Sequence, residues 1–334
     1  MKLSQLQDQI KQDSLASLYL VEGQEGALLD QARRLFMQTI PADQRDLNYS
    51  HYDLAEDLVD GLLDDLASLP FLGERRLIMV DNPLFLSPKV KLPSAAEKQF
   101  LALIQNPIPG NILVLMVNDL KLDQRKKVTK TVATQSEKIS LPLVPEGQIR
   151  SIVTQRLNAQ GYGIDDEALK ELMLRTNASY TDIMAQLDKL KAYAKDSRQI
   201  DLTAIQGLVP KSIHAHVFDL TDAVMRGKVA ESLHLYQELF LNGEAPLKIN
   251  ALLLNQFRLL LQVAGLTGDQ ASKARLLNVH PYRIKLAQAS LSKYRPSQLR
   301  TGYLALQSIE IALKSSQADP ALLFEEFILK QNQQ

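Results

Sequence analysis

An α/β region followed by an all-α region is the fold class this chain predicts, and three observations carry it. Short, continuously apolar runs alternate with helical patterns up to about residue 143. Strand signals cease from Pro145 onward. After that, helices broken by Gly and Pro fill the chain. Apolar runs without a polar alternation suit strands buried on both faces, which is the pattern of a parallel sheet covered by helices.

Leu18-Tyr19-Leu20-Val21 is the first strand, closed by Glu22-Gly23, and a helix follows from Leu28 to Met37. Tyr49 to Tyr52 reads as a second strand. Leu58, Leu62, Leu63, Leu66 and Leu69 recur at helical spacing and form one apolar stripe on a helix from Leu58 to Leu69. Pro70 disfavours helical geometry at Leu69 and ends it. The charged triplet Glu74-Arg75-Arg76 then precedes a third strand, Leu77 to Val80. A helix over Glu97 to Gln105 and a turn at Pro109-Gly110 lead to the strand Ile112 to Val117, and Ile139 to Leu143 is the last strand. Three amphipathic helices follow, Gly147 to Gln160, Asp165 to Arg175 and Thr181 to Lys195, with a short fourth over Asp201 to Leu208. Pro210 and the polar Lys211-Ser212 mark a boundary. Breaks near Gly227, Gly243 to Pro246, Gly265 to Gly268, Arg295-Pro296 and Asp319-Pro320 suit a bundle of about five helices. The domains expected are thus residues 1–143, 144–210 and 211–334, as a length of 334 residues favours.

Composition narrows the function. Lys and Arg number 38, as do Asp and Glu, so no global field recruits nucleic acid or membrane and any such contact must be local. The absence of Cys excludes disulfides, thiolate metal sites and cysteine nucleophiles. Met1-Lys2-Leu3-Ser4 opens a polar helix without an apolar signal core, and no apolar run is long enough to span a bilayer. The chain is expected to be soluble and cytoplasmic.

A strand, a glycine-bearing turn and a helix would form a phosphate-binding loop if a lysine stood at the helix start. Here the turn is Gly23-Gln24-Glu25-Gly26-Ala27-Leu28-Leu29. Leu28 and Leu29 stand where that loop requires Gly and Lys, and Glu25 adds negative charge where phosphate would lie. Asp81-Asn82 resembles a magnesium-holding acidic pair in position, but without the lysine it reads as the plain end of a strand. No Gly-x-Ser-x-Gly elbow occurs, and His214 with His216, on an expected linker, is a weak metal pair with no carboxylate neighbour. No catalytic residue and no cofactor is assigned.

The degenerate loop, the Leu-Pro-Phe-Leu-Gly-Glu-Arg-Arg-Leu run from Leu69 to Leu77, the three-helix second region and the helical third region together resemble the delta subunit of the bacterial DNA polymerase III clamp loader. The third region adds Val217 to Ala223, Gly243 to Pro246, Leu254 to Leu260 and Val279 to Lys285, which look like the family's collar helices. The resemblance implies an AAA+-like parallel-sheet domain, a small helical lid domain and a C-terminal helical collar. It implies a subunit that binds the beta sliding clamp and opens one interface for loading onto primed DNA. It also implies a ring of five with ATPase (gamma/tau) and delta-prime subunits, without ATP hydrolysis by this chain. Met184 stands where an active lid would offer an arginine, and no Ser-Arg-Cys motif is present to serve a neighbour.

Phe71 and Leu72 match the apolar pair that the family inserts into a clamp pocket; core packing beneath the sheet is the competing role. Pro70 departs from the Ser-Leu-Phe spacing of some members, so Leu69 stays a candidate beside them. Lys121, Arg125, Lys126, Lys127 and Lys130 form one basic run, expected on a helix. Lys273, Arg275, Arg283, Lys285, Lys293, Arg295 and Arg300 form another with no acidic residue among them. Both are either solvated faces or DNA contacts, the second with His280 and Tyr282 available to stack on a base. The alternatives are an ATP-binding loader subunit, the delta-prime subunit (whose zinc-binding cysteines and arginine-finger motif are missing here) and a helical DNA-binding scaffold.

Overall fold

The computed structural model describes residues 1–315 and 318–332, which divide into two compact units, Met1–Val144 and Pro145–Gln334. The first unit holds five strands: β1 (Leu18–Gly23), β2 (Tyr49–Asp53), β3 (Arg76–Asp81), β4 (Asn111–Asn118) and β5 (Glu137–Leu141). They form one sheet in the order β2-β3-β4-β1-β5, and every neighbouring pair is parallel. Helix α1 (Leu3–Lys11) precedes them, and those between them are α2 (Gly26–Met37), α3 (Arg45–Asn48), α4 (Val59–Leu66), α5 (Ser94–Gln105) and α6 (Lys127–Gln135).

The two-residue period of a strand sends alternate side chains to opposite faces. Ile78, Val80, Leu113, Leu115 and Leu18 therefore join Leu62 and Leu66 of α4, Phe100 of α5 and Val132 of α6 in one apolar layer. Leu77, Met79, Ile112, Val114 and Tyr19 join Leu6 of α1 with Leu29 and Phe36 of α2 in the other. Both layers need apolar residues, which is why the central strands read as unbroken apolar runs.

The second unit opens with α7 (Glu146–Asn158), α8 (Asp166–Arg175), α9 (Tyr180–Tyr193) and α10 (Leu202–Leu208). Strand structure does not stop at Pro145 as expected. Gly163–Ile164 (β6) and Gln199–Ile200 (β7) form a parallel ladder two residues long, too short to show a period in the sequence. Seven helices follow among the described residues, not five: α11 (Ile213–Met225), α12 (Val229–Leu241), α13 (Pro246–Gly265), α14 (Gln270–Leu277), α15 (Pro281–Leu291), α16 (Pro296–Ser315) and α17 (Pro320–Asn332). The unforeseen break lies at Asn278, which adopts a left-handed conformation with φ 52° and separates α14 from α15. Among the described residues, no helix is long and apolar enough to cross a membrane.

The long helices α13 and α16 pack closely, with Phe257, Leu253 and Leu260 set against Leu306 and Leu299 in one apolar cluster. Gly302 makes that approach possible, because a Cβ there would stand 2.5 Å from Phe257 Cε1. Gly302→Ala overpacks this seam and is expected to destabilise the chain by about 1–3 kcal/mol, read as a lower denaturant midpoint.

Candidate functional site

The segment between α4 and β3 is built to hold apolar side chains in water. Leu62, Leu63 and Leu66 are buried beneath the sheet. The expected stripe ends there. The helix stops at Leu66, and Leu58 and Leu69 are 80% and 69% exposed. The chain leaves helical geometry before Pro70 is reached, and Asn111 Nδ2 takes the carbonyls of Leu66 and Ser68 there, at 3.3 and 2.9 Å. Phe71 and Leu72 follow, 55% and 84% exposed.

Their backbone is fixed. Phe71 N–H donates to Asn48 Oδ1 at 2.7 Å, and Asn48 Nδ2 donates back to the Phe71 carbonyl at 2.8 Å. Asn48 is the last residue of α3 and is fully buried. Leu72 has φ 49°, a left-handed conformation that costs a bulky L-residue about 1–2 kcal/mol. Two glycines let the backbone pass. A Cβ on Gly73 would lie 2.5 Å from Gln44 Oε1, and one on Gly110 (φ 86°) would collide with the Glu74 carbonyl. Arg76 N–H then donates to the Gly110 carbonyl at 3.0 Å and starts β3.

An ion pair closes the base of this loop. The Arg76 guanidinium bonds Asp65 of α4, with side-chain exposures of only 13% and 16%. Tyr52 Oη donates to the other Asp65 oxygen at 2.6 Å. Burial opposes the Asp65 charge, but hydrogen bonds from Ser50 and Tyr52 and the Arg76 cation outweigh it and hold the carboxyl below its ordinary value. The hydroxyl of Tyr52 moves the other way, raised by burial and by the carboxylate it serves.

At the other end of the sheet, the turn after β1 is not organised for a phosphate. Leu29 is buried in the core, and Glu25 is buried at the helix start. Asp81 does more than end its strand. It accepts two bonds from Arg33 Nη2, at 2.9 and 2.8 Å, and lies 2.7 Å from His51 Nε2. Gly26, Leu29, Asp30, Arg33, Asp81 and Asn82 line the cleft of about 180 Å³ that remains. His214 and His216 sit in the first turn of α11 and not in a linker; among the described residues no group of three His, Asp or Glu is placed to hold a metal.

The basic runs are only partly free. Lys126 donates to the carbonyls of Phe85, Ser87 and Val90 and so pins one loop to another. Arg125 forks onto Asp123 at 2.9 and 3.0 Å, which holds that carboxyl down to about 2, yet it stays exposed. Lys121, Lys127 and Lys130 are exposed, and only Lys127 onward lies on a helix, α6, since the earlier residues form the loop before it.

In the second run Lys273 is buried and donates to the Val263 carbonyl, while Lys285 bonds both oxygens of Glu146 at 2.8 and 2.9 Å. An acidic partner far away in sequence thus lies among these cations after all. Tyr282 is 7% exposed, with its hydroxyl pushed up to about 12 by burial, and offers no face to a base. His280 Nδ1 accepts the Tyr282 N–H and caps α15. Arg283 is half-buried, and burial lowers its pKa. Sequence reasoning missed Asn48 and Asn111, the two amides that shape the presenting loop. Neither lies in a periodic pattern, and Asn111 reads only as a turn residue after Pro109-Gly110.

A parallel sheet with a lysine-free turn after β1, followed by a long helical region, is an architecture this chain shares with a solved clamp loader protein. The structure aligns with the Bacillus subtilis DNA clamp loader delta protein over 99% of this chain and 100% of that one, with a TM-score of 0.65 and 30% identity. Residues 19–141 match the family model for the DNA polymerase III delta subunit, and residues 214–331 match that for its C-terminal domain. The Bacillus subtilis DNA polymerase III subunit delta is 31% identical over 96% of this chain and 94% of its own length. The Escherichia coli subunit delta is 23% identical over 69% of this chain and 68% of its own. The chain belongs to the DNA polymerase III delta subunit family.

Because the Asp65 carboxyl titrates below its unfolded value of about 3.9, its contribution is complete above that pH and fades as pH falls through the lowered value. Asp65→Asn leaves the Arg76 guanidinium uncompensated and is expected to cost about 3 kcal/mol at neutral pH. In denaturant melts the gap to the native chain should narrow below about pH 4, as the unfolded chain takes up a proton at this carboxyl before the folded one does.

Proposed function

We propose that this chain binds the beta sliding clamp through Phe71 and Leu72, flanked by Leu69, and opens one clamp interface without hydrolysing ATP itself. The observation that carries the reading is the exposure of two adjacent large apolar side chains on a loop whose backbone is bonded into the sheet domain. Core packing, the competing role, is not what these side chains do. Exposed apolar groups on a fixed frame suit a preformed apolar pocket on a partner.

Opening follows from differential affinity. A subunit that binds the open clamp no better than the closed one shifts nothing, whereas moving a clamp from 1:99 to 99:1 open takes a preference of about 5.5 kcal/mol. In this reading the ATPase (gamma/tau) and delta-prime subunits complete a cytoplasmic ring of five. Residues 1–143 are the AAA+-like domain, 144–210 the lid and 211–334 the collar. The buried Leu29 and the Arg33–Asp81 pair, at the turn where a triphosphate would need a lysine, support a non-hydrolysing role. Primed DNA is contacted by the exposed Lys121, Arg125 and Lys127.

Phe71→Ala with Leu72→Ala is expected to weaken clamp binding at least a hundredfold in calorimetry, at about 2 kcal/mol or more per hot-spot side chain, while loader assembly is retained. Clamp affinity unchanged by the pair would overturn the assignment. Charge reversal at Lys121, Arg125 and Lys127 should slow DNA-dependent clamp loading and flatten its dependence on salt, with clamp affinity unaltered. Identical loading rates across a salt series would leave this run a solvated surface.

A further inference from the structure

We propose that Asn48 is a positioning residue for the clamp contact: its buried carboxamide holds the Phe71 peptide in the one geometry that turns both Phe71 and Leu72 outward. The inference rests on the reading of that pair as the clamp-binding element. One side chain satisfies both backbone groups of one loop residue, much as a neighbouring strand would, across 23 positions of sequence. Asn48 is fully buried, so its amide has no solvent to fall back on if the loop departs.

The loop answers with matching features. Leu72 is held left-handed, a conformation that persists in a bulky residue only where its surroundings impose it. Gly73 brings the chain against the end of α3, because a Cβ there would stand 3.1 Å from Asn48 Nδ2 and 2.5 Å from Gln44 Oε1. A loop that merely joined α4 to β3 would need neither a strained leucine nor a buried amide serving it. Released from Asn48, Phe71 and Leu72 are free to fold back onto apolar surface, and the clamp must then pay to order them again.

Two variants test this from opposite sides. Asn48→Ala removes both bonds, and Gly73→Ala crowds an intact Asn48, whose Nδ2 would stand 3.1 Å from the new Cβ. Each is expected to weaken binding of the cognate sliding clamp about tenfold in calorimetry. Each should also accelerate hydrogen exchange at the Phe71 amide, with the amides of Leu77 to Val80 as protected as before. Clamp affinity retained in both variants, while Phe71→Ala with Leu72→Ala abolishes it, overturns the positioning role alone. Affinity retained in the Phe71/Leu72 variant as well overturns the clamp-contact reading and this inference with it. If the β3 amides exchange faster in step with Phe71, Asn48 is a general structural residue and the inference fails.

Discussion

Strands β3 and β4 are hydrogen-bonded along their length and buried on both faces, and the presenting loop hangs from their shared lower end. Arg76 begins one strand and Asn111 the other, opposite each other in register. The Arg76 N–H reaches the Gly110 carbonyl, and the Asn111 side chain reaches back to the carbonyls of Leu66, the last residue of α4, and Ser68 beyond it. The loop's departure from α4 and its return into β3 are therefore referred to a ladder whose interior residues, Leu77 to Val80, are fully buried. A doubly covered parallel sheet has no soft face, so this mount cannot yield without breaking the core.

That rigidity solves a conflict between exposure and order. Apolar side chains in water gain nothing from standing apart, and a free loop would collapse over them. Ordering a flexible segment on binding costs about 1–2 kcal/mol per residue of backbone. Spending hydrogen bonds inside the folded subunit meets that cost before any partner arrives. Polar groups do the work because each is directional: one amide fixes a peptide plane, which a cluster of leucines does not. The ion pair of Arg76 with Asp65 seals the base of the same loop, and the Tyr52 hydroxyl takes the remaining carboxylate oxygen.

How much of this could be read from the chain depends on range. The sheet was legible because apolar runs such as Ile112 to Val117 need only local counting. The exposed Phe71 and Leu72 stood out because Pro70 and Gly73 bracket them. The stripe from Leu58 to Leu69 misled at both ends, since spacing alone does not know that Asn111, on a strand far along the chain, takes the helix-end carbonyls. Asn48 was invisible for the same reason, its bond partner lying 23 residues on. The basic runs failed similarly. Lys285 finds Glu146 across 139 residues, and Lys126 is spent on three carbonyls that no charge count reveals. The ladder of β6 and β7 is simply shorter than any period.

The turn after β1 is committed to structure and not to an anion. Leu29 does not merely lack a charge. Its Cδ2 lies 3.3 Å from where a Cβ on Gly23 would stand, inside the layer that also holds Phe36 and Met79. A lysine at that position would bring its ammonium into apolar surroundings or tear the side chain out of them. Asp81, which lines the same cleft, already accepts two bonds from Arg33, with His51 near one of its oxygens. Restoring an anion site would require new cations, release of Arg33 and replacement of a buried acid, Glu25, all at once. At this end of the sheet the residues around the turn serve as ion pair and core, and at the opposite end of the strands the loop carrying Phe71 and Leu72 is held.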